Sequence, residues 1–197
     1  MFGRGGEEME YLRERGIKVH IVPGITAAAG IGAELGIPLT CRGYANSATF
    51  LTGHLRADGE DPLAEISARA DERTTMIIYM GLATLPALVA KLCEQNPSGP
   101  SLPASLPAVA VMRGTTPEER CVFAPLGKLP AAVLEAGLKS PTLVIIGHVV
   151  SLSHLYPGHD QVAVYDDSYS PQGDVLPAGV LNDEALEAAA KWGGGER

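Results

Sequence analysis

The chain has 197 residues, with 15 basic and 23 acidic side chains, a formal net charge of −8 and 46% hydrophobic residues. That length and apolar content support one large or two small packed domains and exclude a largely disordered chain, while the acidic balance without a Lys/Arg cluster argues against nucleic acid as a partner. No apolar run approaches the ~20 residues of a membrane-spanning helix, no secretory signal follows Met1, and three scattered cysteines (Cys41, Cys93, Cys121) suit a reducing, intracellular compartment without a disulfide framework.

In chain order, residues 7–15 read as a helix with Met9 and Leu12 on one side, stopped by Gly16. Residues 19–22 read as a strand ending at Pro23-Gly24. Thr26 then caps a helix of small and apolar residues that exits at Gly36 with Pro38 beyond. Strands are expected at 49–51 and 76–80, each followed by glycine. Thr84 can cap the next helix, with Pro86 in its first turn and Leu85, Leu88, Val89 and Leu92 as its buried stripe. Four prolines make 96–107 a surface loop, and 109–111 form a strand ahead of Gly114. Thr116 to Glu119 has the form of a capping box, yet Cys121-Val-Phe123 follows at once, so a single turn and then a strand are expected. A helix over 129–136 precedes the strand 143–146 and Gly147. Beyond Leu155 the pattern decays, with a short peripheral helix at 183–191 and a fraying tail. Apolar strands alternating with helices predict a sheet covered on both faces.

Three turns are candidates for chemistry. Val22-Pro-Gly-Ile-Thr-Ala-Ala28 leads from a strand into a helix whose N-terminus carries only small side chains. Such an end receives a carboxylate or phosphate and lets backbone approach a flat ligand, although close strand–helix packing produces the same residues. Met80-Gly81 and Gly114-Thr115 follow two other strands, and in an open α/β sheet such ends share a cleft; Met80 also suits a core gap. Arg4, Arg42, Arg56 and Arg113 all fall in turns, where they are solvated or grip carboxylates. Gly3-Arg-Gly-Gly6 lacks the third glycine of a dinucleotide fingerprint, and neither a P-loop nor a GxSxG elbow occurs. His20, His54, His148, His154 and His159 show no metal-site spacing.

Seven ordered motifs resemble the uroporphyrinogen-III C-methyltransferases of the tetrapyrrole methylase family: Phe2-Gly-Arg-Gly-Gly-Glu7, Val22-Pro-Gly-Ile-Thr-Ala-Ala28, Gly36-Ile-Pro-Leu-Thr40, Leu51-Thr-Gly-His54, Tyr79-Met-Gly81, Arg113-Gly-Thr-Thr116 and Ser140-Pro-Thr-Leu-Val-Ile-Ile-Gly147. The likeness covers residues 2–152. It implies an α/β fold in which residues 1–40 are the end of a first domain, 45–152 a complete second domain and 153–197 a tail outside the family pattern. By that likeness S-adenosyl-L-methionine lies between the domains of a homodimer and methylates uroporphyrinogen III twice, to precorrin-2, on the way to sirohaem or cobalamin.

Residue by residue, the resemblance implies cofactor contacts at Met1, Thr26, Ala27, Met80, Gly114 and Thr142, and a substrate contact at Arg4. Motifs that carry the family's acid and base precede Phe-Gly-Arg-Gly-Gly, so no catalytic residue is assigned and the chain reads as a truncated form. Met112 stands where relatives commonly carry Glu, and Ala48-Thr49 replaces a pair that often includes Arg. No metal, nucleic acid or membrane is implied; location is cytoplasmic, or the plastid stroma in a photosynthetic eukaryote. Two other readings are another methylase of the same fold and a non-catalytic form that binds cofactor or dimerises.

Overall fold

The computed structural model describes residues 4–53, 66–67, 70–94 and 101–166. The β-branched runs form β1 (Ser47–Thr52), β2 (Thr74–Tyr79), β3 (Pro107–Met112), β4 (Arg120–Pro125), β5 (Thr142–Ile146) and β6 (Ala163–Tyr165). Helices are α1 (Gly5–Glu14), α2 (Ala27–Glu34), α3 (Leu85–Cys93) and α4 (Leu129–Glu135).

The inner strands are apolar throughout, yet the strand period of two still sorts their side chains. Met76, Ile78, Ala108, Ala110, Val122, Ala124, Val144 and Ile146 share one face, under Leu85, Leu88 and Leu92 of α3 and Leu129 and Val133 of α4. Ile77, Val109, Val111, Cys121, Phe123, Leu143 and Ile145 share the other, under Ala28 and Ile31 of α2 and Val149 and Val150 of a short 3-10 turn. A sheet covered on both faces is what the apolar runs predicted.

Strand order is β1-β2-β5-β3-β4-β6. Only β1 and β2 pair in parallel; every other neighbour is antiparallel. Because β5 runs against both β2 and β3, those two strands point the same way with the start of β5 between their ends. Ile78 lies opposite Val144, and Met112 opposite Thr142. All five residues of β5 are buried, and burying one aliphatic side chain contributes about 1.5–3 kcal/mol.

Several expectations need correction. Residues 19–22 are not a strand: Val22 is 86% exposed, and no described residue offers the ladder partner that defines a strand. Thr84 precedes α3 but does not cap it with its side chain. Its hydroxyl instead donates toward the carbonyls of Gly53 (2.8 Å) and Gly81 (3.2 Å). Those glycines approach so closely that a Cβ on Gly53 would stand 2.6 Å from Gly81 Cα. The sheet also continues past 152. Ser153 donates its hydroxyl to the Leu35 carbonyl, Leu155 is buried, and β6 pairs with β4, with Tyr165 donating to the Leu155 carbonyl at 2.8 Å. Ala28, Ile31, Leu35 and Ile37 share a cluster with Val109, Phe123 and Ile145. The expected helix at 183–191 lies outside the described residues. Among those residues no helix is long and apolar enough to cross a membrane.

Candidate functional site

The reversed direction of β5 gathers three turns at one edge of the sheet. Tyr79 and Met80 stand at the end of β2, Val111, Arg113 and Gly114 at the end of β3, and Ser140 to Leu143 at the start of β5; together with Ala27 and Ile31 of α2 they line a cavity of about 310 Å³. The backbone there is unusual. Met80, Arg113 and Thr115 adopt φ of 53°, 51° and 63°, a left-handed region that non-glycine residues seldom occupy outside functional turns.

The start of α2 is built as a donor. Thr26 stands in extended geometry (φ −77°, ψ 152°) and its Oγ1 accepts the Ala29 N–H at 3.3 Å. The Tyr79 hydroxyl accepts the Ala28 N–H at 3.1 Å. Ala27 N–H has no acceptor among the described residues, and Ala27 lines the cavity. One free amide at the positive end of a helix dipole thus opens on the hollow. Tyr79→Phe would leave the Ala28 N–H unpaired, and thermal denaturation should register a loss of about 1–3 kcal/mol; an unchanged midpoint would show that water replaces the phenol.

The 113–116 turn forms the opposite wall. Thr116 donates its hydroxyl to the Arg113 carbonyl at 2.7 Å, and Thr115 N–H donates to Glu119 Oε2 at 2.7 Å. Gly114 sits directly against α2, where a Cβ would overlap the Ile31 side chain, and a Cβ on Gly30 would lie 3.1 Å from Thr115 Cγ2. Helix and turn are in van der Waals contact with no slack.

The sequence profile of the Tetrapyrrole (Corrin/Porphyrin) Methylases matches residues 1–130. Over 157 residues the chain is 57% identical to the S-adenosyl-L-methionine-dependent uroporphyrinogen III methyltransferase, chloroplastic, of Arabidopsis thaliana, covering 80% of this chain and 41% of that protein. The siroheme synthase of Thiobacillus denitrificans is 48% identical over 152 residues, covering 77% of this chain and 30% of its own length. Among solved structures, a uroporphyrin-III C-methyltransferase from Thermus thermophilus, complexed with S-adenyl homocysteine, superposes with a TM-score of 0.61 at 32% identity, covering 77% of this chain and 63% of that one. The chain belongs to the tetrapyrrole methylase family. It spans about two fifths of the length of the plant relative.

Four residues proposed from sequence line the cavity: Ala27, Met80, Gly114 and Thr142. Thr26 stands beside it as the cap of α2. Thr142 spends its hydroxyl on the Lys139 carbonyl at 2.6 Å, so it contributes wall rather than a donor. Met1 lies outside the described residues. Arg4 does not reach the cavity. It pairs with Glu7 at 2.7 Å, with 82% of its side chain exposed, and lines a separate hollow with Tyr11 and Leu12. Of the turn arginines only Arg113 borders the cavity; Arg42 lies in the turn closed by the Cys41–Ala45 bridge, and Arg56 is outside the described residues.

Tyr79 and Ile31 were missed as site residues. Alternation places Tyr79 on the α2 face with Ile77, and Ile31 follows Ala27 by one helical turn, so both signals were present. Met112 accepts the Lys139 N–H through Sδ at 3.1 Å. Ala48 and Thr49 belong to the edge strand β1. Behind the turn, burial pushes the Glu119 carboxyl up to about 7; the Thr115 N–H opposes that rise and the Glu34 carboxyl adds to it. Burial, then Glu119 and Glu34, push the Cys121 thiol up to about 12, which leaves it inert as a nucleophile at neutral pH. Among the described residues no group of three or more His, Cys, Asp or Glu could hold a metal ion.

Proposed function

We propose that this chain uses the cavity between α2 and the 113–116 turn to hold S-adenosyl-L-methionine, and that it serves the twofold C-methylation of uroporphyrinogen III. The observation that carries the reading is the meeting of the free Ala27 amide, the left-handed Met80 backbone and the close-set Gly114 turn in one hollow. A relative of 57% identity is named for that cofactor and substrate, and a superposable relative was solved with the demethylated cofactor. The residues suit such a ligand: small side chains admit a flat group, one amide donates to an acceptor, and Ile31, Leu82, Val111 and Leu143 supply apolar walls.

When bound, S-adenosyl-L-methionine supplies an activated sulfonium methyl to an electron-rich pyrrole carbon. The work left to the protein is orientation. Ala27 N–H fixes one polar end, and the Met80 and Gly114 turns present backbone to the ligand's faces. Arg113 borders the cavity and has no ion pair among the described residues, so it is the cation placed to meet a substrate carboxylate. That local charge is needed because the chain as a whole is anionic at −8. Residues 1–40 are proposed as the end of a first domain. The exposed Ile17, Ile21, Val22 and Ile25, together with α1, which buries no residue, supply the apolar surface that such a domain or a second copy would cover. The stronger likeness to the chloroplastic relative than to siroheme synthase supports a plastid location.

Anaerobic incubation of the purified chain with both reactants, read by mass spectrometry, tests the function. A product heavier by two methyl groups is the expected result. A second reading draws on the 41% coverage of the plant relative: a form that binds cofactor without turnover. Unmodified substrate together with measurable S-adenosylhomocysteine affinity would establish that form and overturn the first.

A further inference from the structure

Glu34 ends α2, and Glu119 follows the 113–116 turn, so these two residues belong to the elements that supply the two walls of the cavity without lining it themselves. Their carboxyl groups lie within hydrogen-bonding reach of each other. Neither has an ion-pair partner among the described residues. Glu34 Oε2 is fully buried and has no hydrogen-bond donor, whereas Glu119 Oε2 already accepts the Thr115 N–H at 2.7 Å. A buried carboxylate oxygen without a donor is costly, and two facing carboxylates repel. One proton between them removes both penalties.

We infer that Glu34 and Glu119 share a single proton, and that this shared proton ties α2 to the 113–116 turn and positions the two cavity walls for the cofactor. Both residues act through other groups: Glu34 through the helix that carries Ala27 and Ile31, Glu119 through Thr115 and hence Gly114. The inference rests on the cofactor reading of the cavity. The carboxyl pair is too far from the lining to touch ligand itself, since neither residue lines the hollow.

Other ionisable groups nearby do not replace this proton. Cys121 of β4 faces the pair but stays a neutral thiol. Tyr165 of β6 lies opposite Cys121 in the ladder, and its hydroxyl is engaged by the Leu155 carbonyl. Arg120 turns to the Ala136 carbonyl on the far face, and Glu118 is held by Thr116. Arg113 borders both the cavity and the hollow behind the turn. His154 stands beside Gly36 at the exit of α2 and serves as the control imidazole.

Glu119 sits near 7 when folded against an ordinary value of 4.5. A folded state that holds the proton more tightly is favoured at low pH and loses that advantage as pH rises from about 4.5 through about 7. The test is run on the full chain. Without ligand, the melting midpoint of the unaltered protein should fall by several degrees between pH 5.5 and 8. Glu119→Gln, which keeps an acceptor for Thr115 and a permanent donor for Glu34, should abolish that fall, and so should Glu34→Gln. His154→Gln should retain it. Parallel pH dependence in the unaltered protein and Glu119→Gln, or its loss in His154→Gln, would overturn the shared proton.

Calorimetric titration with S-adenosylhomocysteine then tests the positioning role. If only the protonated pair presents a competent cavity, affinity should weaken about tenfold from pH 6 to pH 8, and Glu119→Gln should bind equally at both. Affinity independent of pH in the unaltered chain would overturn positioning while the melting comparison still decides the proton. No binding at either pH in any variant would overturn the cofactor reading itself.

Discussion

Gly114→Ala should abolish measurable S-adenosylhomocysteine binding, although it adds a single methyl group. The added Cβ overlaps Ile31 and lies 3.2 Å from Val111 Cγ1, and Ile31 is 2% exposed in a packed cluster, so neither neighbour can retreat freely. The turn or the helix must move, and both are cavity walls. Overpacking of this kind costs about 1–3 kcal/mol in stability. Isothermal titration should show no binding heat for S-adenosylhomocysteine, with a lowered melting midpoint. Gly24→Ala is the matched control, since nothing lies within 4 Å of its added Cβ. Its small effect would come from the unfolded chain alone. Undiminished affinity in Gly114→Ala would show that ligand binds elsewhere.

Ala27→Pro separates binding from folding. Proline suits the first position of a helix, where φ is already near its preferred value and the N–H lacks an intrahelical partner. Thr26 precedes it in the extended geometry, ψ 152°, that a residue before proline requires. The substitution should therefore leave α2 and the melting midpoint nearly unchanged. It removes the Ala27 amide, which has no acceptor among the described residues, and puts ring carbons in its place. A charge-assisted hydrogen bond contributes about 1.5–3 kcal/mol, so affinity should fall roughly ten- to a hundredfold. Equal affinity in the proline variant, measured by the same titration, would remove Ala27 from the site.

Much of this architecture is legible in the sequence, for reasons that particular residues make clear. Leu143 to Ile146 is apolar at every position because β5 is covered on both faces. Pro107, read as part of a surface loop, is instead the first residue of β3, a strand position that tolerates proline. Helix α2 was legible from its cap and exit, Thr26 and Gly36. Residues 19–22 misled because a β-branched run ahead of a Pro-Gly turn says nothing of a pairing partner. Strand β6 escaped because three residues carry too little periodic signal, and its Tyr165 hydroxyl found its acceptor only through tertiary folding. Thr84 was misjudged for a similar reason, since the distant Gly53 carbonyl outcompeted its own helix.

The site divides along the same line. Each turn could be recognised locally, by Pro-Gly, by Met-Gly and by Gly-Thr. Their convergence could not, because it depends on β5 lying reversed between β2 and β3. Arg4 shows the converse: its motif is distinctive, yet its charge is held by Glu7 three residues on, away from the cavity. The pairing of Glu34 with Glu119 left no trace in local spacing.

The placement of β5 also orders the birth of the protein. As the chain leaves the ribosome, β1–β2 and β3–β4 emerge as two separate two-stranded ribbons, and neither can pair with the other. Such ribbons are marginal in water. Only when Thr142 to Ile146 emerges can a strand slide between them, join both ladders and close both cores at once. Folding is thus withheld until β5 has emerged, and the keystone strand that completes the sheet also completes the cavity's floor.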